Sequence, residues 1–318
     1  MKFLINKSTD PYFNMSFDEY CLQQYSSNES FFYLWQNSPA VIVGLNQNVY
    51  SEVNLDFLKE RGICLARRVT GGGAVYHDLN NLNYTFVGQN LTPQPIVDAL
   101  KSLGINAELS GRNDIFVDGR KVSGYAKRVW KERELIHGTL MYDVDLDTLT
   151  KVLDTPSSKL QAKGIASVRS RVANLKEYLP ADMSFEGFVA HLAAHLSSGD
   201  SQMELPDGAE EQIRSEAQSK FASWDWVYGR SKEADFQRRG KYACGTVELS
   251  LSLKGGCIDA LRFEGDFVGE QDAAEFSARL LGLRFEREIV WEAVRACEVG
   301  RYFEGTSAEE IFALLIGN

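Results

Sequence analysis

The chain has 318 residues, long enough for a sizeable core and for two domains, and its 44% hydrophobic and 25% charged residues are ordinary for a globular protein. A formal net charge of −10 excludes a general nucleic-acid or anionic-membrane binder, so an anionic ligand must be met by a local basic cluster. No apolar run reaches membrane-spanning length, MKFLINKSTD turns polar too early for a secretory signal, and five scattered cysteines show no metal-ligand spacing, so free thiols in a reducing cytoplasm are expected.

In chain order, FNMSFDEYCLQQ (13–24) carries apolar residues at helical spacing, and FFYLWQ (31–36) and AVIVGL (40–45) read as strands around the turn-like NSP. NLDFLKERG (54–62) is a short helix stopped by Gly62. Strands follow in CLARRV (64–69), GAVYH (73–77), LNYTFVG (82–88), DIFVDGRKVSG (114–124) and GTLMYDV (138–144), with a helix over PQPIVDALKSLG (93–104). Asp118-Gly119 is a two-residue hairpin signal. Past Pro156 the pattern turns helical, over 184–196 and 210–224. GRSKEADFQRRGK (229–241) has no periodicity and reads as a linker. Beyond it come a hairpin around Lys254-Gly255-Gly256 and two closing helices, over 272–282 and 307–317. The fold expected is α+β: a large mixed-sheet catalytic domain over 1–230, a linker over 231–242 and a small α+β domain over 243–318.

The chemistry concentrates in RRVTGGGAVYHD (67–78). No Gly-Lys-Ser/Thr follows the glycines, so it is not a P-loop. Strand-forming residues follow the run where a dinucleotide fingerprint needs a helix. Phosphate would then be held by backbone N–H groups in a nest, with arginine beside them. A glycine-rich bend between two strands would give the same run. Its neighbours add weight: Gly111-Arg112-Asn113-Asp114 precedes a strand, and Arg120-Lys121-Val122-Ser123-Gly124 follows the hairpin. On an extended strand, Lys121 and Ser123 share a face. A third cluster, KGIASVRSR (163–171), could meet phosphate or acidic protein, or be a solvated loop.

These segments, in this order, resemble the lipoate–protein ligase A family: DPYFNMSFDEY, LWQNSPAVIVGLNQN, RRVTGGGAVYHDLNNLNYTF, GRNDIFVDGRKVSGYAKR, HGTLMYDVDL and KGIASVRSRVANL. The resemblance spans nearly the whole chain, and the tail after about residue 240 is similar to the family's small C-terminal domain. It implies a catalytic domain shared with biotin–protein ligases and a two-step reaction. Lipoate and ATP form lipoyl-adenylate and pyrophosphate, and the lipoyl group then passes to a lysine of a lipoyl domain of a 2-oxoacid dehydrogenase complex or of the glycine cleavage H protein. By the same resemblance Arg68 and Gly73, Ala74, Val75 and Tyr76 match ATP-binding positions. Lys121 matches a central lysine touching both the acyl carbonyl and the α-phosphate. Asn113 and Asp114 are further nucleotide contacts, with Asp114 also facing magnesium. Trp35, Gly72 and His77, with Arg68 and Lys121, border the lipoate pocket, Trp35 walling its dithiolane end.

Four positions depart from the family pattern: Asn80 stands for a usual glycine, Val69-Thr70 for a serine-bearing pair, and Leu45 for arginine. Asn80 is expected to preserve a turn with positive φ. Two other functions stay open on the sequence: an ATP-independent octanoyl- or lipoyl-transferase using Cys64, and a non-catalytic binder of lipoate or lipoyl domains. An acceptor would dock on a local basic face, either 163–171 or the run 127–133. The small domain is expected to rotate between the two steps. The chain is expected to act as a monomer, bound to neither nucleic acid nor membrane.

Overall fold

The computed structural model describes residues 1–25, 29–153, 171–197, 199, 202–228, 236–254, 257–285 and 287–316. Its strands are β1 (Lys2–Phe3), β2 (Phe31–Trp35), β3 (Ala40–Val43), β4 (Cys64–Arg67), β5 (Val75–His77), β6 (Asn81–Gly88), β7 (Ala107–Ser110), β8 (Asp114–Val117), β9 (Arg120–Trp130), β10 (Arg133–Met141), β11 (Phe236–Tyr242), β12 (Gly245–Lys254) and β13 (Cys257–Glu264). A large mixed sheet has the order β1-β2-β6-β10-β9-β8-β7, and two three-stranded sheets run β4-β3-β5 and β11-β12-β13. Among the strands of the described residues, only β1 with β2 and β3 with β4 pair in parallel.

Local sequence explains the joints. Asp118 and Gly119 have φ of 49° and 76°, the doubly left-handed turn whose twist suits a two-residue hairpin. The helix Leu55–Arg61 is capped by the Asn54 side chain and ends at Gly62, φ 62°, as its sequence suggested. The expected helix over 210–224 is regular only through Ala209–Glu216, then widens into a π-turn at Ala217–Phe221.

The large sheet is covered on both faces. Leu82, Tyr84 and Phe86 of β6 pack with Ile96, Leu100, Phe188 and Leu192 of two helices, Gln94–Ser102 and Phe185–Leu196. Alternation sends Asn81, Asn83 and Thr85 to the other face, where the Thr85 hydroxyl meets Asp18 of the helix Pro11–Gln23. Asp10 caps that helix, Pro11 opens it, and almost all of its residues are buried. It can therefore carry polar side chains into the interior.

A separate core holds the C-terminal unit together: Phe263, Phe276 and Phe303 stack edge to face under β11–β13 and the helices Ala273–Leu280, Arg287–Arg295 and Ala308–Ile316. The sequence-based linker is corrected here. Phe236–Tyr242 is strand β11, paired with β12 from Phe236↔Leu251 to Tyr242↔Gly245. Its charged residues hid the pattern, and charge is what an edge strand carries against stray pairing. The remainder of that linker, 231–235, lies outside the described residues. Main-chain bonds join the two units: Gly72 N–H donates to Phe267 O (3.0 Å), Gly265 N–H to Asn46 O (2.7 Å) and Val129 N–H to Glu270 O (3.1 Å).

Candidate active site

The glycine loop connects β4 to β5, both of which flank β3. Gly72 sits at φ 94°, and a Cβ on Gly44 would lie 2.0 Å from Gly72 O, so neither position admits a side chain without movement. The two arginines before the loop diverge. Arg67 is fully buried and donates to the carbonyls of Gly44 (2.8 Å), Gln47 (2.7 Å), Trp226 (3.0 Å) and Val227 (2.7 Å). It is a staple of the fold, so half of the expected Arg67–Arg68 anion cluster faces away from any ligand. Arg68 turns into the loop, donating to Gly71 O (2.7 Å), Gly73 O (2.8 Å) and Ile42 O (3.0 Å). Burial lowers its pKa to about 10, which leaves it charged at neutral pH. The expected open nest is partly closed, because the Gly72 N–H is taken by Phe267.

Beside the loop is a pocket of about 110 Å³ lined by Trp35, Ile42, Arg68, Gly73, Ala74, Val75, His77, Asn83, Asn113, Lys121, Tyr125 and His137 among others. Its floor is one row across the large sheet. Trp35 pairs with Asn83, Asn83 with Thr139, and Gly124 with Asp114; the Gly124 N–H donates to the Thr139 hydroxyl (3.2 Å), which joins the halves. Lys121 folds over Gly124, where a Cβ would lie 2.9 Å from Nζ, and pairs with Asp114 at 2.7 Å. An ammonium thus stands at one end of the row and an indole at the other. Trp35 meets His77 edge to face at 6.2 Å, and burial, then Arg68 and His137, push the His77 pKa down to about 3.

Beneath the indole runs a buried polar network that the sequence reading did not single out. His137 Nδ1 lies 2.6 Å from Asp18 Oδ2 and its Nε2 lies 2.7 Å from the Thr70 hydroxyl. Asp18 Oδ1 accepts from the Tyr33 hydroxyl (2.5 Å) and the Thr85 hydroxyl (3.0 Å), and Thr85 accepts from Trp35 Nε1 (2.9 Å). Arg68 Nε closes the chain on Thr70 (3.0 Å). The network fixes Trp35 and Arg68 from one anchor. The hydroxyl kept at Thr70 is therefore in use. The available signal was the polar alternation Asn81, Asn83, Thr85 within an otherwise apolar strand.

Several expected residues stand elsewhere. Tyr76 points to the opposite side of β5 from Val75 and His77, into the core of Val41, Val43 and Leu65. Ser123 does not share the face of Lys121: Ile115 pairs with Ser123 and Phe116 with Lys121, so Val122 is an extra residue in a bulge. Ser123 is buried beside the Tyr84 phenol instead. Asn80 is not among the positive-φ residues; its N–H donates to Asp78 Oδ1 (2.9 Å), and that bond makes the turn. In the run 127–133, Lys127 pairs with Glu134 (2.9 Å), while Arg128 donates to Val69 O and Arg133 to Tyr25 O, so it is not a free basic face. Of the 163–171 cluster, all but Arg171 lies outside the described residues. Among those residues no three His, Cys, Asp or Glu side chains gather as an ion cage. Asp114, a lone carboxylate, suits magnesium only as an ion carried largely by substrate phosphates.

Residues 10–197 match the family model described as the lipoyl protein ligase A/B catalytic domain, and residues 231–315 that of the bacterial lipoate protein ligase C-terminus. The chain is 36% identical to the lipoate-protein ligase LplJ of Bacillus subtilis (strain 168) and 38% identical to lipoate–protein ligase 1 of Staphylococcus aureus (strain Mu50). Each comparison covers 99% of this chain and 100% of the relative. Among solved structures, P. falciparum LipL1 in complex with lipoate shares the fold at a TM-score of 0.83 and 24% identity, covering 100% of this chain and 99% of that one. Lipoate-protein ligase A bound with ATP matches at 0.61 and 26% identity, over 72% of this chain and 98% of that one. By both family models and two relatives matched over their full length, this chain belongs to the lipoate–protein ligase family.

Proposed function

We propose that this chain is an ATP-dependent lipoate–protein ligase with Lys121 as its central catalytic residue. The observation that carries the reading is the transverse row from Asp114 to Trp35, with the Lys121 ammonium over one end and the indole at the other. It suits a long acid whose carboxylate meets the ammonium and whose ring rests on Trp35. In the first step a lipoate carboxylate oxygen attacks the α-phosphorus of ATP. The bond to the leaving pyrophosphate breaks, and pyrophosphate departs with the electron pair. Lys121 offsets the repulsion between two anions and stabilises charge on the phosphoryl oxygens. Magnesium, held by the phosphates and Asp114, would neutralise the leaving group. In the second step the acceptor lysine amine attacks the acyl carbonyl, AMP leaves with its oxygen, and the amine loses a proton. Lys121 then faces the developing oxyanion, and much of the rate comes from holding the reactants together.

On this reading Arg68 and the stretch Gly73 to Tyr76 shape the nucleotide side, Tyr76 through its backbone, Asn113 adds a contact, and Gly72 borders the lipoate. We assign catalysis to residues 1–230 and an accessory role to the unit beginning at Phe236. The acceptor would be a lipoyl domain of a 2-oxoacid dehydrogenase complex or the glycine cleavage H protein, met by a cytoplasmic monomer. A Cys64 transferase has less support: burial pushes that thiol's pKa up, away from the nucleophilic thiolate, and Cys64 sits on β4 outside the pocket lining. Incubated with lipoate, Mg-ATP and an unmodified lipoyl domain or H protein, the chain should add one lipoyl mass to the acceptor by mass spectrometry, and none without ATP. Transfer from an acyl carrier protein that needs no ATP and disappears in Cys64→Ser would overturn the ligase reading.

A further inference from the structure

Two buried polar atoms on residues that line this pocket find no partner among the described residues: His77 Nε2 and Asn83 Nδ2. The side chains are 3% and 1% exposed, so bulk water does not serve them. The hydrogen on His77 can be traced. Asn14 Nδ2 donates to the carbonyls of Ser8 (3.1 Å) and Gln36 (2.8 Å), which fixes that amide, and the same nitrogen faces Asn37 Oδ1 (2.8 Å). Asn37 must then present its Nδ2 to His77 Nδ1 (3.0 Å), which accepts. The ring hydrogen is left on Nε2, and the depressed pKa keeps the ring a single donor. Asn83 spends its Oδ1 on Asn81 Nδ2 (3.0 Å), which leaves its own N–H group free.

Their position matters. Asn83 lies two strand steps from Gly124, where the Lys121 ammonium rests, and two steps are about 10 Å. That is close to the length of an extended eight-carbon acid, so a chain anchored at Lys121 brings its far carbons to Asn83, under the ring of Trp35 and beside His77. A saturated hydrocarbon there leaves both donors as unpaired as before. A ring sulfur is a weak but real acceptor, polarizable enough to suit the flanking indole as well.

We infer that His77 and Asn83 form a donor pair that reads acceptor atoms at the far end of the acyl chain, and so select a sulfur-bearing chain over an all-methylene chain of equal length. This rests on the lipoate reading of the pocket and goes beyond it by ranking lipoate above octanoate. The test is acid-dependent ATP–pyrophosphate exchange by the full chain with lipoate and with octanoate, comparing the ratio of the two kcat/KM values within each protein. Taking the ratio cancels differences in folded fraction. His77→Phe keeps a ring against Trp35 and removes the donor; Asn83→Leu keeps the volume. Each should lower the lipoate-to-octanoate ratio about tenfold, since a neutral hydrogen bond to sulfur is modest. Should one variant fail to fold, the other still decides. Equal losses for both acids would mean that the donors hold a trapped water or the fold, and would overturn the inference. Absence of exchange with either acid in the unaltered chain would instead sink the ligase reading.

Discussion

Arg67 and Arg68 are adjacent and carry the same charge, yet they do opposite work. Successive side chains on a strand point to opposite faces: Arg67 enters the wall between Gln47 and Val227, while Arg68 curls into the loop beside the ligand pocket. Nothing in RRVTGGG tells the two apart, because the distinguishing partners are backbone carbonyls about 20 and 160 residues distant in sequence. Removing the buried guanidinium strands several carbonyls, and each unsatisfied group costs about 1–3 kcal/mol. Arg67→Leu should therefore lower unfolding stability by about 3 kcal/mol or more in urea titration. A loss under about 1 kcal/mol would contradict its role as a staple.

At the scale of elements, much was legible. Asp118-Gly119, the Gly62 helix stop and the hairpin around 254–256 are encoded by neighbours in sequence, and β8 with β9, the helix Leu55–Arg61 and β12 with β13 stand where those signals put them. The site was legible only in part. Lys121, Trp35 and His77 came from a motif resemblance, and all three line one pocket. The row that joins them takes one residue from each of five strands, so its order depends on register, which local sequence does not carry. The bulge at Val122 makes the point: strict alternation put Ser123 beside Lys121, and a single inserted residue sends it to the opposite core. Asp18 and His137 escaped for a related reason, being distant in sequence and meeting only once the helix Pro11–Gln23 lies on β10.

For the whole molecule, the notable surface is the one between the two units. Phe267 caps the glycine loop, and the carboxylates of Glu248 and Asp266 face Glu52 from the C-terminal side, with Arg239 offsetting part of their charge. Burial first, then those two carboxylates, push the Glu52 pKa from 4.5 up to about 7. A raised carboxylate pKa means that the folded chain binds a proton which the unfolded chain releases. Stability from this group is thus full below about pH 4.5 and is lost as pH rises toward 7. Glu52→Gln should melt higher than the unaltered chain at pH 8, with the difference vanishing near pH 4.5; an equal difference at both pH values would exclude this linkage. The central claim, that an ammonium at Lys121 serves the attack of lipoate on ATP, is tested most directly by lipoate-dependent ATP–pyrophosphate exchange in the unaltered chain and in Lys121→Ala. Exchange is expected in the first and a loss of about 10²–10³-fold or more in the second. Exchange that survives Lys121→Ala undiminished would contradict it.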